Sequence, residues 1–231
     1  MNQHPDTTPA LTGTGSADLA KAFLNKVYMW LAFSMLLTAG IAAYTAQDVS
    51  CLYWVADHQL LLCLGTLGLV IIMSFAAHRL TAGALTALLL IFSAVEGLLF
   101  GPLLICYGLN SVGKAFGCTA VMFGAMSIYG ALTKRNLSTM GRTLFMLLIG
   151  LLVAIIINIF WANEPFDLII CCAGVVIFSI FTAYDTQNLL RIGLSTDPEI
   201  RQKGAILGAL SLYLDFINLF IFLLRLLGRD E

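Results

Sequence analysis

Long apolar runs recur along the chain, separated by short polar connectors. Seven are near the 20 mostly apolar residues that a membrane-crossing helix needs. They lie at Val27–Ala46, Gln59–Ala77, Thr81–Tyr107, Ala115–Leu132, Thr143–Trp161, Leu168–Asn188 and Ala205–Leu227. The pattern predicts an all-α membrane protein with seven transmembrane helices. The longest connector, "LRIGLSTDPEIRQKG", carries the turn signal Asp197-Pro198. Nothing between the runs is long enough to bury a separate core. Ahead of them, residues 1–20 open with "MNQHPDTTPALTGTGS" and read as a disordered polar tail, leaving 21–231 as the helical bundle.

Two runs contain an acid. In "IFTAYDTQNLL" it is Asp185, and in "LSLYLDFINLFIFLL" it is Asp215. Glu96 is a third, in "IFSAVEGLLFG". An ionised side chain at mid-membrane costs about 2.5–3.5 kcal/mol on insertion scales, and such residues mark ion or proton pathways. Each acid taken alone can equally be a neutral, hydrogen-bonded structural residue.

Helical spacing gathers further polar and small residues beside them. Gly208, Ser211, Asp215, Asn218 and Arg225 form one stripe on the last span. Gly174, Thr182, Asp185 and Asn188 share a face of the sixth. Ser93, Glu96, Gly97 and Gly101 cluster on the third, where Pro102 weakens the helix. These stripes are expected to face the bundle interior. Straight helices leave Asp185 and Asp215 about 10 Å apart along the membrane normal. If the two meet, like charges near 4 Å repel by roughly 4 kcal/mol in an effective dielectric of about 20. One proton would be shared and the pair would titrate as a unit. Arg79, at the end of the second span, is the candidate counter-charge; it serves equally well as a positive anchor.

The composition agrees with a membrane solvent: 60% of the 231 residues are hydrophobic and 11% charged, against about 25% charged in soluble domains. The net charge of −1 gives no basis for nucleic-acid binding. Lysine and arginine are unevenly placed. With the N-terminus inside, nine of the 12 fall on the cytoplasmic side, and the positive-inside rule then sets the N-terminus cytoplasmic and the C-terminus periplasmic. Five of the six cysteines sit in apolar runs as small hydrophobes and form no CxxC pair. No cofactor and no tight metal site is indicated.

Four motifs in order, "AVEGLLFG" (94–101), "SIYGALTKRNLS" (127–138), "FTAYDTQ" (181–187) and "SLYLDFINLFIFLLRLLG" (211–228), resemble the Bax inhibitor-1 family. The detail is similar to its bacterial inner-membrane branch. Asn136 departs from that family's pattern, which more often has Asp there. The resemblance implies a bundle whose last helix is central and wrapped by the others. It implies a paired-aspartate pH sensor at Asp185 and Asp215, with the family's arginine mapping to Arg79. It also implies a pH-sensitive calcium or cation leak, with calcium in transient contact with Asp185 and Asp215. The alternative is a membrane regulator without transport that binds a membrane protease. Catalysis is not expected: intramembrane aspartyl proteases resemble a Gly-x-Gly-Asp pattern, and here Tyr213-Leu214 precedes Asp215. The last span also lacks the lysine that a retinal protein requires.

Overall fold

The computed structural model describes residues 13–228, and the side chains of residues 18–228. Their regular structure is entirely helical: α1 Gly13–Gln47, α2 Val49–Phe75, α3 Ala82–Leu132, α4 Gly141–Trp161, α5 Glu164–Gly193 and α6 Pro198–Leu227, with a 3₁₀ turn at Leu137–Met140 ahead of α4. The expected tail 1–20 is corrected in part. Gly13–Ala20 already belongs to α1, and residues 1–12 lie outside the described residues. Ala17, Leu19 and Ala20 extend the apolar pattern of α1, and Ala20 and Phe23 are buried.

Local chemistry fixes the helix ends. Asp48 accepts hydrogen bonds from the Ser50 and Cys51 amides at the start of α2, and Thr81 accepts one from Ala84 at the start of α3. Asn163 and Asp197 do the same for α5 and α6, each followed by a proline within the first turn. There the missing N–H costs nothing, because the first amides of a helix lack partners anyway.

The third and fourth expected spans are joined. The predicted seven-residue connector between them is absent: α3 runs for 51 residues, and only Gly108 departs from helical geometry, at φ 70° and ψ 155°. That backbone region is essentially glycine's alone. Pro102, expected to weaken the third span, is carried inside the helix without a break. Contacts with α6 give the direction of each arm. In the first arm, Phe92 meets Tyr213 and Phe100 meets Phe220. The first arm ends with Tyr107 beside Gly228, and in the second Phe116 and Phe123 both lie by Phe216. The first arm climbs α6 and the second descends it, so α3 folds back at Gly108.

Among the described residues, six helices are long and apolar enough to cross a membrane. Their burial differs sharply: 67% of the most apolar window of α6 is buried, against 11% for α2 and for α4. α6 packs against α1, α3 and α5, and Leu212, Tyr213, Leu219 and Leu224 on it are fully enclosed. The outer helices keep their apolar side chains exposed, as Phe145, Ile149, Ile156 and Phe160 do on α4. Water would penalise such a surface and lipid does not.

Small residues bring the helices close. A side chain on Gly97 would strike the Thr38 carbonyl oxygen of α1 at 2.8 Å, and one on Gly101 would strike the Thr45 side chain. This four-residue spacing of glycines lets two backbones approach where apolar burial offers no drive.

Candidate functional site

The α5–α6 pair sets the register of the intramembrane acids. Its contacts run Ile192 with Gly204, Leu189 with Gly208 and Phe222 with Gly174. Level with Asp185 on this ladder is Ser211, whose hydroxyl donates to Asp185 Oδ2. Asp215 is one turn beyond Ser211. The 10 Å offset expected from straight, evenly started helices therefore shrinks to one turn, about 6 Å. The reason is that α6 enters the pair several residues late, after the Asp197 cap and its first turn.

Asp185 and Asp215 line one cavity of about 370 Å³ together with Ser211 and Asn218. Leu148, Leu151, Leu152 and Ile155 of α4 close it on one side, and Phe178, Phe181 and Phe222 narrow it. Asp215 is 4% exposed, and its Oδ2 makes no hydrogen bond among the described residues. Asp185 is half-buried. Ser211 bonds Asp185 and not Asp215, so the two carboxylates share a cavity without a hydrogen bond between them among the described residues. Asn218 donates its amide to the Leu214 carbonyl at 2.7 Å, which leaves its side-chain oxygen free of that bond.

The other two candidates sit elsewhere. Arg79 is exposed on the turn between α2 and α3, where its Nε donates to His78 Nε2 at 3.2 Å. It does not line the aspartate cavity. The helix ahead of it, α2, packs on α1 and α3 rather than on α5. Glu96 is half-buried on a different side of α6, hydrogen-bonded to Thr66 of α2. Close by, the Tyr213 hydroxyl meets Thr38 Oγ1 at 2.8 Å, and Thr38 also bonds the Ser93 carbonyl at 2.9 Å. Three acids therefore form two sites, a pair and a single. Thr38 had no signal in the sequence beyond being a hydroxyl in an apolar run. The α4 leucines that wall the cavity had none at all.

At the far end of the same helices Arg225 pairs with Asp167, which also accepts from Asn158 Nδ2 at 3.2 Å. This ion pair ties the start of α5 to the end of α6. Beyond Asp185, toward the other end, Gln187 accepts from the Leu137 amide at 2.8 Å and donates to the Arg135 carbonyl at 2.8 Å. The aspartates thus lie between the Arg225–Asp167 tie of α5 to α6 and the Gln187 tie of α5 to the segment after α3.

As a cation site, the cavity offers oxygens from Asp185, Asp215, Ser211 and Asn218. Calcium prefers six to eight oxygen ligands, and no group of three or more His, Cys, Asp or Glu suited to a metal occurs among the described residues. The donor set suits brief contact with a passing hydrated cation rather than a tight cage.

Comparison with known proteins places this arrangement in a family. The family model described as inhibitor of apoptosis-promoting Bax1 matches residues 20–231. The chain belongs to the Bax inhibitor-1 family. A protein of Deinococcus radiodurans is 40% identical over 218 residues, covering 94% of each chain. Inner membrane protein YbhL of Escherichia coli is 40% identical over 215 residues, covering 90% of this chain and 92% of its own. A Borreliella burgdorferi protein is 35% identical over 212 residues. The four motifs that suggested the family all fall inside the matched region.

Proposed function

We propose that this family member is a multi-pass inner-membrane protein that leaks calcium or other cations in a pH-sensitive way, gated by Asp185 and Asp215. The two arms of α3 cross separately, which makes seven crossings, with α6 at the centre, the N-terminus cytoplasmic and the C-terminus periplasmic. The inner-membrane placement draws on the likeness to YbhL. The lysine and arginine bias supports the orientation.

One observation carries the gating: two carboxylates share a single cavity, Asp185 held by a serine of the helix that carries Asp215, on two helices tied at their far end by Arg225 and Asp167. When the pair holds a proton, Ser211 and the carboxyls bridge α5 to α6. When both are ionised, like charges on the order of 6 Å apart repel by about 3 kcal/mol in an effective dielectric of about 20. That shifts a two-state equilibrium by on the order of a hundredfold. Arg79 does not line this cavity and is left out of the gate. The same carboxylates give a cation a transient foothold. Glu96 belongs to a second polar site and is not part of the gate.

Purified full-length protein in calcium-loaded liposomes tests the activity. Efflux well above that of protein-free liposomes is expected. Efflux equal to the protein-free control at every pH tested removes the leak and leaves the non-transporting regulator, with a membrane protease among its partners, as the better reading.

A further inference from the structure

A second large cavity, of about 740 Å³, opens at the end of the bundle where α1, α5 and the segment after α3 meet. Its charged lining is entirely basic: Lys21 from α1, Lys134 and Arg135 after α3, and Arg191 from α5. Among the described residues, no Asp or Glu lines it. All four side chains are exposed. Leu24, Leu132, Leu190 and Leu194 supply its apolar wall, and Thr133, Asn136 and Gln187 add neutral polar groups.

Basic residues at a membrane boundary commonly do no more than set orientation. These do more than line a boundary, because one of them is held in place. The Arg191 guanidinium donates to Asn136 Oδ1 at 2.5 Å and to Gln187 Oε1 at 3.2 Å. Both acceptors are neutral amides, so the charge is positioned without being neutralised. Asn136 is fixed in turn by capping the 3₁₀ turn through the Ser138 amide. Gln187 fastens the 133–137 segment to α5 through Leu137 and Arg135. The segment that presents Lys134 and Arg135 is therefore braced against the helix that presents Arg191.

We infer that this pocket seats the phosphate headgroup of an anionic phospholipid. The phosphate would lie among Arg191, Lys134, Arg135 and Lys21, and the glycerol and upper acyl carbons would lie along the leucine wall. That wall selects lipid over free phosphate, since a free phosphate has no apolar part to place there. Basic pockets between transmembrane helices are a known type of headgroup site. The site is separate from the aspartate cavity, with which it shares no lining residue.

The test is native mass spectrometry of the full-length protein in detergent, titrated with phosphatidylglycerol or with phosphatidylcholine. One tightly retained phosphatidylglycerol is expected, with phosphatidylcholine bound at least tenfold more weakly. Lys134→Gln/Arg135→Gln removes two charges whose side chains make none of the bracing hydrogen bonds, so the fold should persist. Each basic group near an anionic surface is worth about a fivefold change in binding, so this double variant should bind phosphatidylglycerol about 25-fold more weakly. Arg191→Gln should weaken it as well. Equal retention of the two lipids would overturn the proposal. So would a double variant that binds as the parent does, or displacement of phosphatidylglycerol by millimolar inorganic phosphate, which would make this a free-anion site.

Discussion

Ser211 is the residue on which the aspartate pair turns. Its hydroxyl satisfies Asp185 from across the α5–α6 contact, one turn ahead of Asp215. Removing the donor leaves a half-buried carboxyl without that bond, at a cost of about 1–3 kcal/mol. Ser211→Ala is therefore expected to lower the thermal midpoint of the purified protein in detergent. An unchanged midpoint would mean that the bond contributes nothing. The acids themselves were legible in the sequence, because a charge inside an apolar run stands out whatever the fold. That Asp185 and Asp215 meet in one cavity was legible only as a stripe on each helix. Their link depends on the register of α5 against α6, which the glycine contacts at Gly174, Gly204 and Gly208 settle and no periodicity encodes. Arg79 was open between counter-charge and positive anchor because sequence position near a span end says nothing about which neighbouring helix its turn faces.

At the scale of elements, α3 is the informative case. Hydrophobicity located both of its arms, Thr81–Tyr107 and Ala115–Leu132, within a few residues. It did not locate the break, because Pro102 is the louder signal and Gly108 one glycine among 20. A proline can stay inside a membrane helix when neighbouring helices and local adjustment satisfy the freed carbonyl. A backbone at φ 70° and ψ 155° cannot be supplied by other residues at little cost. Gly108→Ala should destabilise by about 1–3 kcal/mol through strain, although open space surrounds the position. Gly113→Ala, also in open space but in regular helix, should instead stabilise by about 0.5–1 kcal/mol. Unfolding in detergent by chemical denaturant compares the two. Equal effects would mean that Gly108 is not the hinge of the hairpin.

For the whole molecule, the helical membrane class followed from composition and run length alone, since a surface like that of α4 has no place in water. The burial of α6 did not follow from composition, because its mean apolarity resembles that of its neighbours. The polar stripe and the family resemblance were the hints, and polar groups on a membrane helix must turn away from lipid. The proposed fold-back of α3 gives an odd number of crossings, so the two ends lie on opposite sides. A reporter enzyme active only in the periplasm, fused after Glu231, should be active. Activity confined to a cytoplasmic reporter at the same point would contradict the seven crossings. In the proposed function, the aspartate pair makes the leak respond to pH. Asparagine keeps the shape of a protonated aspartate and cannot ionise, so it abolishes the coupled titration. Calcium efflux from liposomes, followed across the neutral pH range, should vary at least tenfold for the parent protein and be nearly flat for both Asp185→Asn and Asp215→Asn. A parental pH profile retained in both variants would contradict the account.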